Sequence, residues 1–166
     1  MFSRCVIGGI ELLVSERLKQ LGITLPPPPK VVAAYVPAIT VHDLVYTSGN
    51  DCRVNGELMY KGKVGLDLTL EEGQRAARQT TINLLAVLQE HLGSLDKIER
   101  IVKLLGFVNS APGFVEQPHV MNGASMLLED IFGAKGKHAR SALAAPELPF
   151  NTPVEIEMIV QLKQGI

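Results

Sequence analysis

Thr69-Leu70-Glu71-Glu72 carries the reciprocal pattern that starts a helix. The threonine hydroxyl can accept from the backbone amide three residues on, while Glu72 reaches back to the amide of Thr69. Behind it Ala76, Ala77, Thr80, Leu84, Leu85, Val87 and Leu88 form an apolar stripe, and Gly93 supplies a stop. A long helix with one apolar face needs a sheet beneath it, and the flanking sequence supplies strands.

Between Val31 and Ser48 β-branched and aromatic residues are dense, interrupted by Thr40-Val41-His42-Asp43, which predicts antiparallel strands near Ala34 to Ile39 and Leu44 to Ser48. Asn55-Gly56 is a two-residue turn signal, with Glu57 to Lys61 as the return arm; the first sheet edge is expected there. Ile98 to Val108 alternates poorly, as an interior strand does. Ser110-Ala111-Pro112-Gly113 breaks it, and a second helix is expected from Gln117 to Phe132, with Pro118 in its first turn and Gly133 ending it. Arg140 to Ala145 and Val154 to Leu162 read as the last strands, Pro146 to Pro153 joining them, with Glu155 and Glu157 on one face.

The expected architecture is α+β: a mixed sheet with two helices packed on one face. Two helices leave the other face uncovered, and its apolar side chains call for a partner subunit. Ahead of this lies a short amphipathic helix, with Ile10, Val14, Leu18 and Leu21 at helical spacing and Gly22 as its stop. Pro26 to Pro29 follow as a stiff connector. The chain therefore divides into residues 1–30, helix and proline-rich linker, and residues 31–166, the main domain.

With 166 residues, 46% hydrophobic and 20% charged, the chain has enough apolar surface for one core. A net charge of -1 without a Lys/Arg block argues against nucleic acid as a partner. Cys5 and Cys52 suggest neither a disulfide framework nor a thiolate zinc site, and His42, His91, His119 and His138 lack metal-ligand spacing, so no metal is expected. Met1 to Val14 is interrupted by Glu11 and lacks a cleavage site, and no segment is apolar enough to span a bilayer, so a cytoplasmic protein is expected. Phosphate-binding glycine loops, a GxSxG elbow and an HExxH helix are all absent.

The informative constellation is C-terminal: His138-Ala139-Arg140-Ser141-Ala142, Glu147-Leu148-Pro149 and Val154-Glu155-Ile156-Glu157. Arginine binds a carboxylate through a planar fork, and a glutamate held nearby can deprotonate a water. An arginine opening a strand and a glutamate inside its neighbour can face one cleft, a carboxylate-substrate hydrolysis site in outline. The same pair also reads as a structural salt bridge between adjacent strands.

Ala139-Arg140-Ser141, Leu148-Pro149 and Val154-Glu155-Ile156, with Tyr35, Tyr46-Thr47-Ser48-Gly49 and Val102 to Val108, resemble the signature of the RidA family, also called YjgF-like or L-PSP endoribonuclease-like proteins. The resemblance runs from about Leu21 to Leu162. It implies a chorismate-mutase-like (bacillus-type) fold, a homotrimer packed through the open sheet faces with clefts between subunits, and no cofactor. It further implies a deaminase that hydrolyses 2-aminoacrylate-type enamines or imines (2-iminopropanoate among them) to 2-keto acids and ammonia. Arg140 matches the residue that grips the substrate carboxylate and Glu155 the acid associated with the hydrolytic water. Tyr35 and Ser48 match pocket positions, and either Asn122 or Ser125 is the polar residue of the second helix that lines it. His138, Ala142 and Asn50-Asp51 depart from the usual pattern, which with the N-terminal extension marks a distinct subgroup. The alternative function is a non-catalytic regulatory trimer that binds a small carboxylate or keto acid. A ribonuclease lacks its basic stripe here, and a chorismate mutase shares the fold but not the signature.

Overall fold

The computed structural model describes residues 12–28 and 34–165. In chain order the elements are α1 (Val14–Gln20), β1 (Ala38–Val41), β2 (Leu44–Thr47), β3 (Arg53–Val54), β4 (Glu57–Leu58), α2 (Leu70–Leu92), β5 (Ile98–Asn109), α3 (Gln117–Phe132), β6 (Ala139–Ala145) and β7 (Val154–Leu162). The main sheet has five strands in the order β1-β2-β7-β5-β6, with β5 and β6 parallel and the other neighbours antiparallel. The architecture is the expected α+β one, of chorismate-mutase-like type.

The capping box forms as its residues dictate: Glu72 N–H donates to Thr69 Oγ1, and Thr69 N–H donates to Glu72 Oε2 at 2.8 Å. Gly93 closes α2 in the left-handed conformation, φ 77°. The two long helices approach closely because Gly123 faces the Gln74 carbonyl, where a Cβ would stand 2.1 Å from the oxygen. Their inner faces, with Leu84, Leu88, Met121 and Leu128, bury Ile101, Leu104, Ile156 and Met158 of the sheet.

Three expectations need correction. The first strand starts at Ala38 rather than near Ala34: Pro37 has no amide to give the ladder, so residues 34–37 bend and Tyr35 precedes the strand. The intervening turn is only His42-Asp43, since Val41 already pairs with Leu44. The Asn55-Gly56 hairpin forms, with φ 54° and 86° as a primed turn requires, but as a separate two-stranded sheet. The Asn83 side chain of α2 ties it down by donating to the carbonyls of Asp51 and Arg53, and the edges of the main sheet are β1 and β6.

The N-terminal helix also differs from a unit set apart by prolines. Leu18 is buried in the common core, Val14 N–H donates to Asp96 Oδ1 at 2.7 Å, and Arg17 Nε donates to the Asp130 carbonyl at 2.6 Å. The helix lies on the helical layer beside α3. Ile10, Pro29 and the stretch 31–33 lie outside the described residues.

The face of the sheet away from the helices carries Ile39, Val41, Tyr46 and Leu143, all exposed. Lys103 Nζ reaches Ser141 Oγ across that face at 2.9 Å. Among the described residues no helix is long and apolar enough to cross a membrane.

Candidate active site

Arg140 is the second residue of β6, an edge strand, and sits beside Leu104, whose side chain is fully buried under the helices. Its side chain therefore rises on the helical face. There Nη1 donates to Asn122 Oδ1 and to Ser125 Oγ, each at 3.0 Å. Asn122 and Ser125 are three residues apart on α3, so both face β6 from successive positions on one side of the helix. The sequence left open which of them accompanies the arginine; both do. Burial lowers the pKa of Arg140 from its ordinary value, but a guanidinium stays charged in a protein.

His138 completes this cluster. Its Nδ1 lies 2.6 Å from the Gly136 carbonyl and its Nε2 lies 3.1 Å from Ser125 Oγ. Burial lowers its pKa, the Gly136 contact opposes that, and the charge of Arg140 lowers it further. The signal was present in the sequence: His138 stands two residues before Arg140, the spacing that puts neighbours of an extended chain on one side.

Glu155 belongs to a second cluster. Its neighbours Val154 and Ile156 are buried against the helices, so Glu155 points to the opposite face, beside Phe107. Burial raises its pKa, and the nearby carboxylates of Asp51 and Glu157 raise it further. Gly49 leaves it room, since a Cβ there would stand 2.2 Å from Glu155 Oε1. The approach follows from an irregular ladder in which Tyr46 pairs with Ile159 but Asn50 with Ile156, leaving one extra residue on the β2 side. Met158 N–H donates to Thr47 Oγ1 at 3.0 Å within that irregularity.

Ser48 adjoins Gly49 and ties down the segment that carries Tyr35. Ser48 Oγ donates to the Val36 carbonyl at 2.7 Å and its amide to the Pro37 carbonyl at 2.9 Å, which holds the segment carrying Tyr35 against the end of β2. Tyr35 itself is exposed. The roles of Gly49 and Asp51 escape a reading by residue type, because each is a matter of clearance or proximity across strands.

The expectation that Arg140 and Glu155 face one cleft from adjacent strands is incorrect within a single chain. Strand β5 runs between β6 and β7, and the two side chains stand on opposite faces. The salt-bridge reading fails for the same reason. Among the described residues no group of His, Cys, Asp and Glu is placed to hold a metal ion.

Residues 15–162 match the family described as YjgF/chorismate mutase-like, putative endoribonuclease. Protein TCP17 of Trypanosoma cruzi is 41% identical over 157 residues, covering 90% of this chain and 94% of its own. Among solved structures, the Agrobacterium tumefaciens protein Atu1372, of unknown function, superimposes with a TM-score of 0.85 at 44% identity, over 90% of this chain and 92% of its own. A putative endoribonuclease from Shewanella oneidensis MR-1 gives 0.88 at 33% identity, over 91% and 100%. Together with the two-helix, five-stranded core, these matches establish that the chain belongs to the YjgF/chorismate mutase-like family.

Proposed function

We propose that the protein hydrolyses 2-aminoacrylate-type enamines and imines to 2-keto acids and ammonia. The observation that carries this reading is the Arg140 guanidinium, held by Asn122 and Ser125 at an exposed sheet edge with donors left over for a carboxylate. An imino acid held by its carboxylate presents its adjacent C=N carbon at a fixed distance from the arginine, so orientation supplies much of the gain.

Water adds to that carbon while Glu155 takes one of its protons and the imine nitrogen takes one from solvent. Glu155 then passes its proton to the amino group of the carbinolamine, the C–N bond breaks to release ammonia as the C=O bond forms, and the hydroxyl proton goes to solvent. A carboxylate whose pKa is raised by burial is a stronger base than an ordinary one, which suits this step.

Since Arg140 and Glu155 lie on opposite faces, the proposed site is shared between copies of the chain. One subunit contributes Arg140, Asn122 and Ser125, and the next contributes Glu155, Ser48 and Tyr35. The arginine is on the β6 edge, while Tyr35 leads into the β1 edge at the other end of the sheet. A contact between unlike edges is head-to-tail and makes a ring where its rotation closes; the proposed ring is a homotrimer that covers the exposed apolar residues of the open face. The related names that mention an endoribonuclease sit poorly with a net charge of -1.

The test is ammonia release from 2-iminopropionate generated in situ, comparing wild type, Arg140→Ala and a protein-free control. Acceleration by wild type that falls to background in the variant is expected; turnover retained by the variant overturns the reading. The separation of Arg140 from Glu155 within one chain keeps a second reading in play, a keto-acid sensor without turnover. Glu155→Gln separates the two by abolishing turnover while leaving carboxylate binding in place.

A further inference from the structure

The Arg140 cluster has a direction built into it. Nη1 carries two hydrogens, and two acceptors, Asn122 Oδ1 and Ser125 Oγ, take them. Among the described residues no other hydrogen bond is made by Arg140, so the hydrogens of Nε and Nη2 remain on one edge of the plane. That edge is the side-on fork of a guanidinium, matched to the two oxygens of a carboxylate.

Which way Ser125 turns decides whether the arrangement holds. A carbonyl only accepts, so the 2.6 Å contact to Gly136 puts the hydrogen of His138 on Nδ1 and leaves Nε2 a bare acceptor in the neutral ring. Ser125 then gives its hydrogen to His138 Nε2 and turns a lone pair to Arg140 Nη1. The Gly136 carbonyl is itself fixed by packing, because Gly136 lies so close to α3 that a Cβ would stand 2.1 Å from the Leu128 carbonyl oxygen.

Burial and the charge of Arg140 lower the pKa of His138, and the contact to the Gly136 carbonyl opposes them. Arg140 lies two residues on, Lys137 precedes His138 and pairs with Glu129 of α3 at 3.5 Å, and Arg100 of β5 lines the same groove of ≈590 Å³; Gln161 of β7 and Ser125 of α3 are uncharged. With Lys137 paired to Glu129, Arg140 is the charge that opposes a further proton on His138.

Resting on the reading that Arg140 binds a carboxylate, we propose that His138, through Ser125, is a positioning residue that commits Nη1 inward and leaves the Nε–Nη2 edge of Arg140 to take the substrate. The chain of donors runs from Arg140 to Ser125 to His138 to the Gly136 carbonyl. Removing His138 frees the Ser125 hydroxyl to turn its hydrogen elsewhere, and the guanidinium loses a fixed acceptor. A glutamine at 138 can still offer an amide oxygen to Ser125 and restores the orientation.

The experiment is calorimetric titration with pyruvate of wild type, His138→Ala, His138→Gln, Ser125→Ala, the His138→Ala/Ser125→Ala pair and Arg140→Ala, with the histidine nitrogens of the ligand-free protein read by NMR. His138→Ala should weaken pyruvate roughly five- to tenfold, the value of one lost hydrogen bond. His138→Gln should stay within about threefold of wild type, and the double variant should be no weaker than Ser125→Ala, since the two act in series. The NMR spectrum should show His138 neutral at pH 7 with hydrogen on Nδ1. An Nε2–H tautomer, or His138→Ala binding as wild type while Arg140→Ala has lost pyruvate, overturns the positioning role and leaves the arginine reading standing. Pyruvate bound equally by Arg140→Ala, or not bound by wild type, overturns the carboxylate reading and the positioning role with it.

Discussion

Arg140 and Glu155 stand on opposite faces of one sheet with β5 between them: the neighbour of Arg140 on β5 is the buried Leu104, and the neighbour of Glu155 is Phe107, on the other face. No side-chain rearrangement brings the two together within a chain, because alternation along β5 separates them by the thickness of the sheet. Chemistry that needs both groups requires two copies.

Mixed oligomers test this. Arg140→Ala and Glu155→Gln should each be inactive alone, yet when co-expressed or refolded together they should recover about a quarter of wild-type imine hydrolysis, the share of interfaces that pair an intact arginine with an intact glutamate at equal mixing. A mixture as inactive as its components would place both groups of each site in one chain.

Glu155 should set the acid limb of the pH profile. Its pKa is raised in the folded protein, so the ionised form is disfavoured by folding; stability contributed by this group grows as pH falls through the folded value. Glu155→Gln should therefore raise the melting temperature at neutral pH, with the gain shrinking as the pH is lowered into the range where Glu155 itself protonates. In kcat/KM, the acid limb of the wild type should lie above the usual carboxylate range. Thermal melts and rate measurements between pH 4 and 8, the range in which a raised carboxylate titrates, check both.

Two glycines should behave differently when changed to alanine. At Gly49 the added methyl meets the far end of the flexible Glu155 side chain, which can swing aside. Stability should change by less than about 1 kcal/mol while imine hydrolysis falls by roughly tenfold or more, because the carboxylate is displaced. At Gly123 the methyl meets the Gln74 backbone oxygen and the helices must separate, which should cost about 2–3 kcal/mol in denaturant unfolding.

Leu18→Ala should release the N-terminal helix. Leu18 is the buried anchor of α1, and truncating it should cost about 2–4 kcal/mol, a value that shows in melts only if α1 unfolds together with the domain. Hydrogen exchange localises the effect: amides of Val14–Gln20 should be protected in wild type and exchange early in the variant.

The two long helices are legible nearly to the residue. Thr69 to Glu72 and Gly93 delimit α2, and Pro118 and Gly133 delimit α3, because caps and stops are local chemistry acting over four or five residues. The strand Val154–Leu162 was equally plain from its alternation. The start of the first strand is not legible from the β-branched residues because Pro37 outweighs them, and the sheet to which the 53–58 hairpin belongs is not local because its anchor, Asn83, lies on a distant helix.

For the candidate site, residue types alone identify which groups can bind a carboxylate or move a proton, since that capacity resides in a guanidinium or a carboxyl wherever it sits. Arg140 and Glu155 stand out on that basis, whereas Ser48, Tyr35 and the choice between Asn122 and Ser125 follow only from the family resemblance. What the tertiary structure decided is their grouping. Strand order put β5 between β6 and β7, the pleat sent Arg140 and Glu155 to opposite faces, and the docking of the 133–136 turn on α3 turned His138 from an anomaly beside an arginine into the group that orients it. Strand order and face depend on pairings between residues far apart in the chain, made by backbone groups common to every residue, and so leave little mark on the residue types themselves.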